Sequence, residues 1–142
     1  MKNLTAFHTP TIWSVLIFGL SMSGNCFAAD DVLPMLEDIQ IQSTMDQTLQ
    51  PAKLWVPATA KKQPTPLLVF LHSWSGDYRQ NNAKWLTEAA RRGWIFLHPN
   101  FRGRNDHPEA CGSALARQDI LDAIDLVSEQ FQVDPSRVYL AG

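Results

Sequence analysis

The sequence is poor in cysteine, in charge of either sign and in long apolar runs, and each shortage removes a class of protein. Two cysteines in 142 residues cannot build the disulfide framework of a small secreted scaffold. No histidine cluster lies near them, so a structural metal site is not expected and no cofactor is implied. Charged residues make up 18% of the chain and the formal net charge is -2. That balance gives no electrostatic reason to expect nucleic acid or an anionic membrane as partner. The pairs Lys61-Lys62 and Arg91-Arg92 are isolated and read as solvated surface. There is no internal repeat and no low-complexity tract. What is present is a hydrophobic fraction of 45%, ordinary for a globular chain, and length for one domain.

The N-terminus departs from this ordinary composition. Lys2 precedes an apolar stretch from Ile12 to Leu20, then small and polar residues, then Cys26-Phe27-Ala28-Ala29-Asp30. This is the layout of a secretory signal peptide over residues 1–28. Cleavage after Ala28 puts Cys26 and Ala28 at the two small-residue positions, whereas cleavage after Ala29 would put bulky Phe27 at one of them. An apolar core of about ten residues is too short to cross roughly 30 Å of hydrocarbon as a helix, so no stable membrane anchor is expected. Acylation at Cys26 would need a better lead than Ser23-Gly24-Asn25. The mature chain, 29–142, is expected to be secreted or periplasmic. Cys111 is then its lone cysteine, a free thiol or one whose partner lies elsewhere.

Beyond an acidic lead-in, Ile39 and Ile41 alternate with Gln40 and Gln42. A polar stretch from Ser43 to Thr48 separates them from Leu49–Val56. Two such segments read as an antiparallel hairpin. Pro57 to Pro66 reads as a surface loop. Leu67-Leu68-Val69-Phe70-Leu71 is apolar on both alternations, as a strand covered on both faces must be. Helical spacing over Asn81 to Arg92 places Trp85, Leu86, Ala89 and Ala90 in one stripe, with Gly93 just past the end. Trp94-Ile95-Phe96-Leu97 is a second buried-type strand, and Trp85 and Trp94 read as packing residues. After a polar loop from Phe101 to Gly112, Ser113 is placed to cap a helix through about Phe131. Leu115, Ile120, Leu121, Ile124 and Val127 are its expected core side. Asp134-Pro135-Ser136 breaks it, and Val138-Tyr139-Leu140 starts a third buried strand. The alternation predicts an α/β fold: a mostly parallel sheet with an antiparallel N-terminal hairpin and helices on both faces.

In such sheets ligands bind beyond the carboxyl ends of the strands. Three segments fall there: His72-Ser73-Trp74-Ser75-Gly76-Asp77, His98-Pro99-Asn100-Phe101-Arg102-Gly103, and Ala141-Gly142. The first can aim backbone N–H groups at a developing oxyanion or serve as a plain β-to-α turn. His72, His98 and His107 lack a visible nucleophile or acidic orienter and read as structural. Nothing marks Ser73 or Ser75 as activated. Arg102 and Arg104 read as surface residues by default, or as partners for a substrate carboxylate. Val138 to Gly142 is an apolar strand ending on glycine, as the strand before a G-x-S-x-G nucleophile elbow does.

Residues 98–103, Pro108 to Ser113, Gln118 to Ile124 and Asp134 to Gly142 together resemble the prolyl-oligopeptidase-type branch of α/β hydrolases, including secreted esterases of the acetylxylan esterase and dienelactone hydrolase kind. The resemblance covers about residues 40–142. It implies an N-terminal half of an α/β-hydrolase fold, interrupted at the elbow. It also implies a serine-type hydrolase of ester or peptide bonds whose nucleophile follows Gly142, with acid and histidine further on. The catalytic serine, acid and histidine would all lie outside these 142 residues. Leu71-His72 resembles the family's oxyanion-side motif, usually His-Gly. Ser73 replaces that glycine, so a positive φ at this position would carry strain. The resemblance makes the Trp74 N–H the first candidate oxyanion donor and Ser73 the second, with the Trp74 ring a candidate wall for the acyl or leaving group. A non-catalytic binding module on the same fold is the alternative. The isolated chain is expected to be inactive and poorly soluble, because its last strand would present an apolar edge.

Overall fold

The computed structural model describes residues 33–142, so the signal segment and its cleavage site lie outside the described residues. The first hairpin forms as its alternation predicts. β1 (Glu37–Gln42) and β2 (Leu49–Trp55) are antiparallel, with Ile39 opposite Ala52 and Ile41 opposite Gln50. There follow β3 (Thr65–Phe70), α1 (Ala83–Arg92), β4 (Ile95–Pro99), α2 (Ala114–Gln130) and β5 (Val133–Ala141). The sheet runs β1-β2-β4-β3-β5. It is mixed: β3 is parallel to both β4 and β5, while β2 is antiparallel to β1 and β4.

That order decides where the helices go. The step from β3 through α1 to β4 runs one way along the sheet, and the step from β4 through α2 to β5 runs back past β3. Right-handed crossovers in opposite directions put the two helices on opposite faces. The core divides accordingly. Leu68, Phe70 and Phe96 pack with Leu86 and Ala89 of α1. Leu67, Val69, Ile95 and Leu97 pack with Ala123 and Val127 of α2. Alternate strand residues face opposite ways, so β3, buried at all six positions, has to be apolar on both sides.

The helix ends are set by local chemistry. Gly93 takes φ 66°, and the N–H groups of Gly93 and Trp94 donate to Ala90 O and Ala89 O at 3.0 and 2.9 Å. This Schellman closure satisfies carbonyls that the helix leaves open. At α2, Ser113 Oγ accepts from the Ala116 N–H at 3.0 Å, as an N-cap should.

Three expectations change. The 57–66 segment is not all surface: a 3-10 turn over Ala58–Lys61 buries Ala60 completely, and Ala60 O accepts from Gln132 N–H. Pro66 lies inside β3, and the β3–β5 register slips between Thr65 and Leu67, where proline offers no N–H to the ladder. The innermost side of α2 is Ala116, Asp119, Asp122, Ala123 and Val127, while Leu121 is 52% exposed. Finally, β5 begins at Val133 and bulges over residues 134–137, where Ser136 N–H donates to Asp134 Oδ1. It is the edge strand of the described sheet, so Tyr139 and Leu140 are exposed rather than buried.

Candidate active site

β3 and β5 are neighbours and parallel, and the chain leaves β3 toward the α1 face. The two carboxyl ends bring Leu71, at the head of the 72–77 loop, beside Gly142. Leu71 N–H donates to Ala141 O at 2.6 Å. A Cβ at Gly142 would lie 2.7 Å from Leu71 O, closer than any side chain tolerates, so this approach requires glycine.

His72 is buried at this junction. Its Nε2–H donates to Asn100 O at 2.8 Å, Nδ1 lies 3.1 Å from Ser73 O, and the ring stacks on Phe101 with centroids 4.0 Å apart. Both ring nitrogens lie against backbone carbonyls, and the Nε2–H bond ties the loop after β3 to the loop after β4. His98 is fully buried. Its Nδ1 accepts from Asn82 Nδ2 at 3.0 Å, and its Nε2 has no partner among the described residues. Burial first, then the neighbouring His72, holds its pKa down to about 4, so the ring is neutral at pH 7. His107 Nε2 reaches only Arg102 O, at 3.1 Å. Among the described residues no serine hydroxyl is hydrogen-bonded to a histidine ring.

Ser73 N–H and Ser73 Oγ both donate to Gln80 Oε1, at 2.8 and 2.9 Å. Ser73 is not among the non-glycine residues with positive φ, which are Gln47, Phe101, Arg102 and Cys111. Its standing where the resemblance leads one to expect glycine therefore carries no left-handed strain. Trp74 is 67% exposed. Its carbonyl accepts from Asn105 N–H at 2.9 Å, and its own N–H has no partner among the described residues. Ser75, Asp77, Arg79 and Arg104 line an open pocket beside it. Asp77 is held below its usual pKa by the Arg79 guanidinium, 2.7 Å away.

Arg102 corrects both readings made from sequence. It meets neither solvent nor an incoming carboxylate, because its side chain is 6% exposed and sits between two aspartates. Nε and Nη2 donate to Asp119 at 2.5 and 3.1 Å. Nη1 and Nη2 donate to Asp46 in the β1–β2 turn at 2.7 and 3.0 Å. Hydrogen bonds from Arg102 hold Asp46 well below the usual carboxylate range. One turn further along α2, Asp122 accepts from Thr44 N–H at 2.7 Å and from Gln118 at 2.9 Å. Burial alone would raise its pKa, but these hydrogen bonds outweigh burial and lower it. Phe101, Arg102 and Gly103 all take positive φ, a conformation held by the His72 stack and this ion network. Arg104, by contrast, is exposed, as expected. Cys111 is exposed and free, with Sγ–H donating to Asn105 O at 2.9 Å.

Sequence reasoning missed Gln80, Asp119 and Asp122. The available signal was the helical spacing of Asp119 and Asp122 with Ala116 and Ala123, which puts both acids on the small-residue side of α2. Among the described residues no group of three or more His, Cys, Asp or Glu is arranged to hold a metal. No described helix is long and apolar enough to cross a membrane.

A mixed sheet with helices on both faces and a loop-and-glycine junction at its switch point defines the class as α/β with the site beyond the strand ends. The particular fold is the one seen in solved peptidases and esterases of the α/β-hydrolase type, to which this chain is similar. Oligopeptidase B from Leishmania major superposes with a TM-score of 0.57 at 18% identity over 75% of this chain. Pyrococcus horikoshii acylaminoacyl peptidase gives 0.57 at 20% over 76%. Pyrobaculum calidifontis esterase gives 0.59 at 20% over 78%. The chain spans 16%, 19% and 36% of the lengths of these three. No protein-family model and no curated protein matches the sequence.

Proposed function

We propose that this chain is part of a secreted or periplasmic serine-type hydrolase that acts on small ester or peptide substrates, with its nucleophile presented just after Gly142. The observation that carries this reading is the contact between Gly142 and Leu71 O. It sets the end of β5 against Leu71, the residue that leads into the loop bearing the Trp74 N–H. In a nucleophile elbow the serine sits at the tip of such a strand, and the oxyanion hole combines the N–H after the serine with one from the loop after β3. The serine attacks the carbonyl, a histidine takes its proton and an acid orients the histidine. The Trp74 N–H stabilises the developing oxyanion, where a fixed donor counts for most. The catalytic serine, histidine and acid are assigned to residues beyond Gly142.

The test is labelling of the full-length gene product with a serine-directed phosphonate. The expected result is a single adduct on the serine two residues past Gly142, with loss of p-nitrophenyl ester hydrolysis. A folded full-length protein that takes no label there would overturn the reading and favour a non-catalytic binding module.

A further inference from the structure

We infer that Gln80 is the positioning residue of the oxyanion-side loop, and that its clamp on Ser73 leaves the Trp74 N–H, rather than that of Ser73, to face outward. This inference rests on the hydrolase reading above for its kinetic consequence, but not for its geometry. The Ser73–Trp74 peptide is planar and trans, so its C=O and N–H point opposite ways. Ser73 O is drawn into the loop by Gly76 N–H at 2.9 Å and lies 3.1 Å from His72 Nδ1. The Trp74 N–H on the same peptide plane therefore faces out of the loop. The preceding N–H, that of Ser73, is turned inward and taken by Gln80 Oε1, which also receives the Ser73 hydroxyl. A carboxamide oxygen has two lone pairs, so these two donors saturate it and Ser73 has no N–H or O–H left to donate to a substrate. On the far side, Asn105 N–H holds Trp74 O at 2.9 Å. The donor is thus fixed from both flanks before any substrate arrives.

The space for this clamp depends on Gly76. A Cβ there would fall 2.2 Å from Gln80 Oε1. The carboxamide is the far end of a flexible side chain, and Gly76 is not in the left-handed region. An alanine would therefore be accommodated by pushing Gln80 away from Ser73. Gly76→Ala and Gln80→Leu are two unrelated ways of releasing one hydrogen-bonded pair.

The experiment combines amide hydrogen exchange with kinetics on the full-length product. In the wild type the Ser73 amide is expected to be protected and the Trp74 amide to exchange fast. Gln80→Leu and Gly76→Ala should each remove the Ser73 protection, while Gln80→Glu, which keeps an acceptor, should retain it. Removing an oxyanion donor outright costs about 10²–10³ in kcat. A donor that is loosened rather than lost should cost about tenfold in kcat, with KM within about threefold, because the contact strengthens only in the transition state. The double variant should be no worse than either single one. Unchanged Ser73 exchange in both variants would overturn the inference, as would unchanged kcat in an active enzyme. If Gln80→Leu does not fold, Gly76→Ala decides. A wild type with no hydrolysis counts against the functional reading alone, and exchange still judges the clamp.

Discussion

Replacing Arg102 with methionine should remove a large share of the stability of this fold. Methionine keeps the length and the non-glycine backbone at φ 78°, so the comparison isolates the guanidinium. What remains is the Asp119 carboxylate, its side chain 1% exposed, with its only ion-pair partner among the described residues gone. Breaking a buried pair from one side costs about 3–5 kcal/mol, against folding stabilities of about 5–15 kcal/mol for ordinary domains. The two Asp46 contacts go as well, freeing the β1–β2 turn from the loop after β4. In urea unfolding followed by tryptophan fluorescence, with m of about 1–3 kcal/mol/M, the midpoint should drop by about 1 M or more. Adding Asp119→Asn removes the stranded charge, so the double variant should recover at least about 1 kcal/mol relative to Arg102→Met alone. A midpoint shift under about 0.3 M, or no recovery in the double variant, would refute the claim that this ion pair is a buried structural tie.

Two further predictions concern a buried histidine and a helix end. His98 titrates at about 4 in the fold and near 6.5 when unfolded. The fold therefore resists its protonation, and stability should be full above about pH 6.5, fall as pH drops toward about 4, and level off below, a span of about 3 kcal/mol. Urea midpoints across that range, with His98→Gln flattening the slope, test this; an NMR titration midpoint near 6.5 in the folded protein would contradict it. Gly93→Ala should cost about 1 kcal/mol purely through the left-handed backbone, since a Cβ there meets nothing within 4 Å. A neutral effect on the thermal midpoint would mean the Schellman turn is not holding α1.

Local signals were enough for much of the framework. The two-sided apolarity of residues 67–71 marked a central strand, because a strand covered on both faces has no polar side. Ser113 and Gly93 marked helix ends because capping is a short-range matter of orphaned N–H and C=O groups. Gly142 and the His72–Trp74 loop were legible as strand-end features, and the family resemblance gave them a shared purpose. What failed were inferences about which side of an element faces inward. The apolar residues of α2 pointed to Leu121, but the helix turns Asp119 and Asp122 inward, where Arg102 and Thr44 meet them.

By itself, then, the sequence determined the order of elements, their caps and the class of fold, all of which follow from periodicity and residues a few positions apart. Only the tertiary structure decided the sheet order, the burial of Arg102 and the contact between Gly142 and Leu71. The same holds for the inward turn of the Ser73 N–H onto Gln80 Oε1. The first three depend on groups distant in sequence, such as Arg102 and Asp46, 56 positions apart. The last depends on how one peptide plane is turned by Gln80 and Gly76, which residue type alone does not specify.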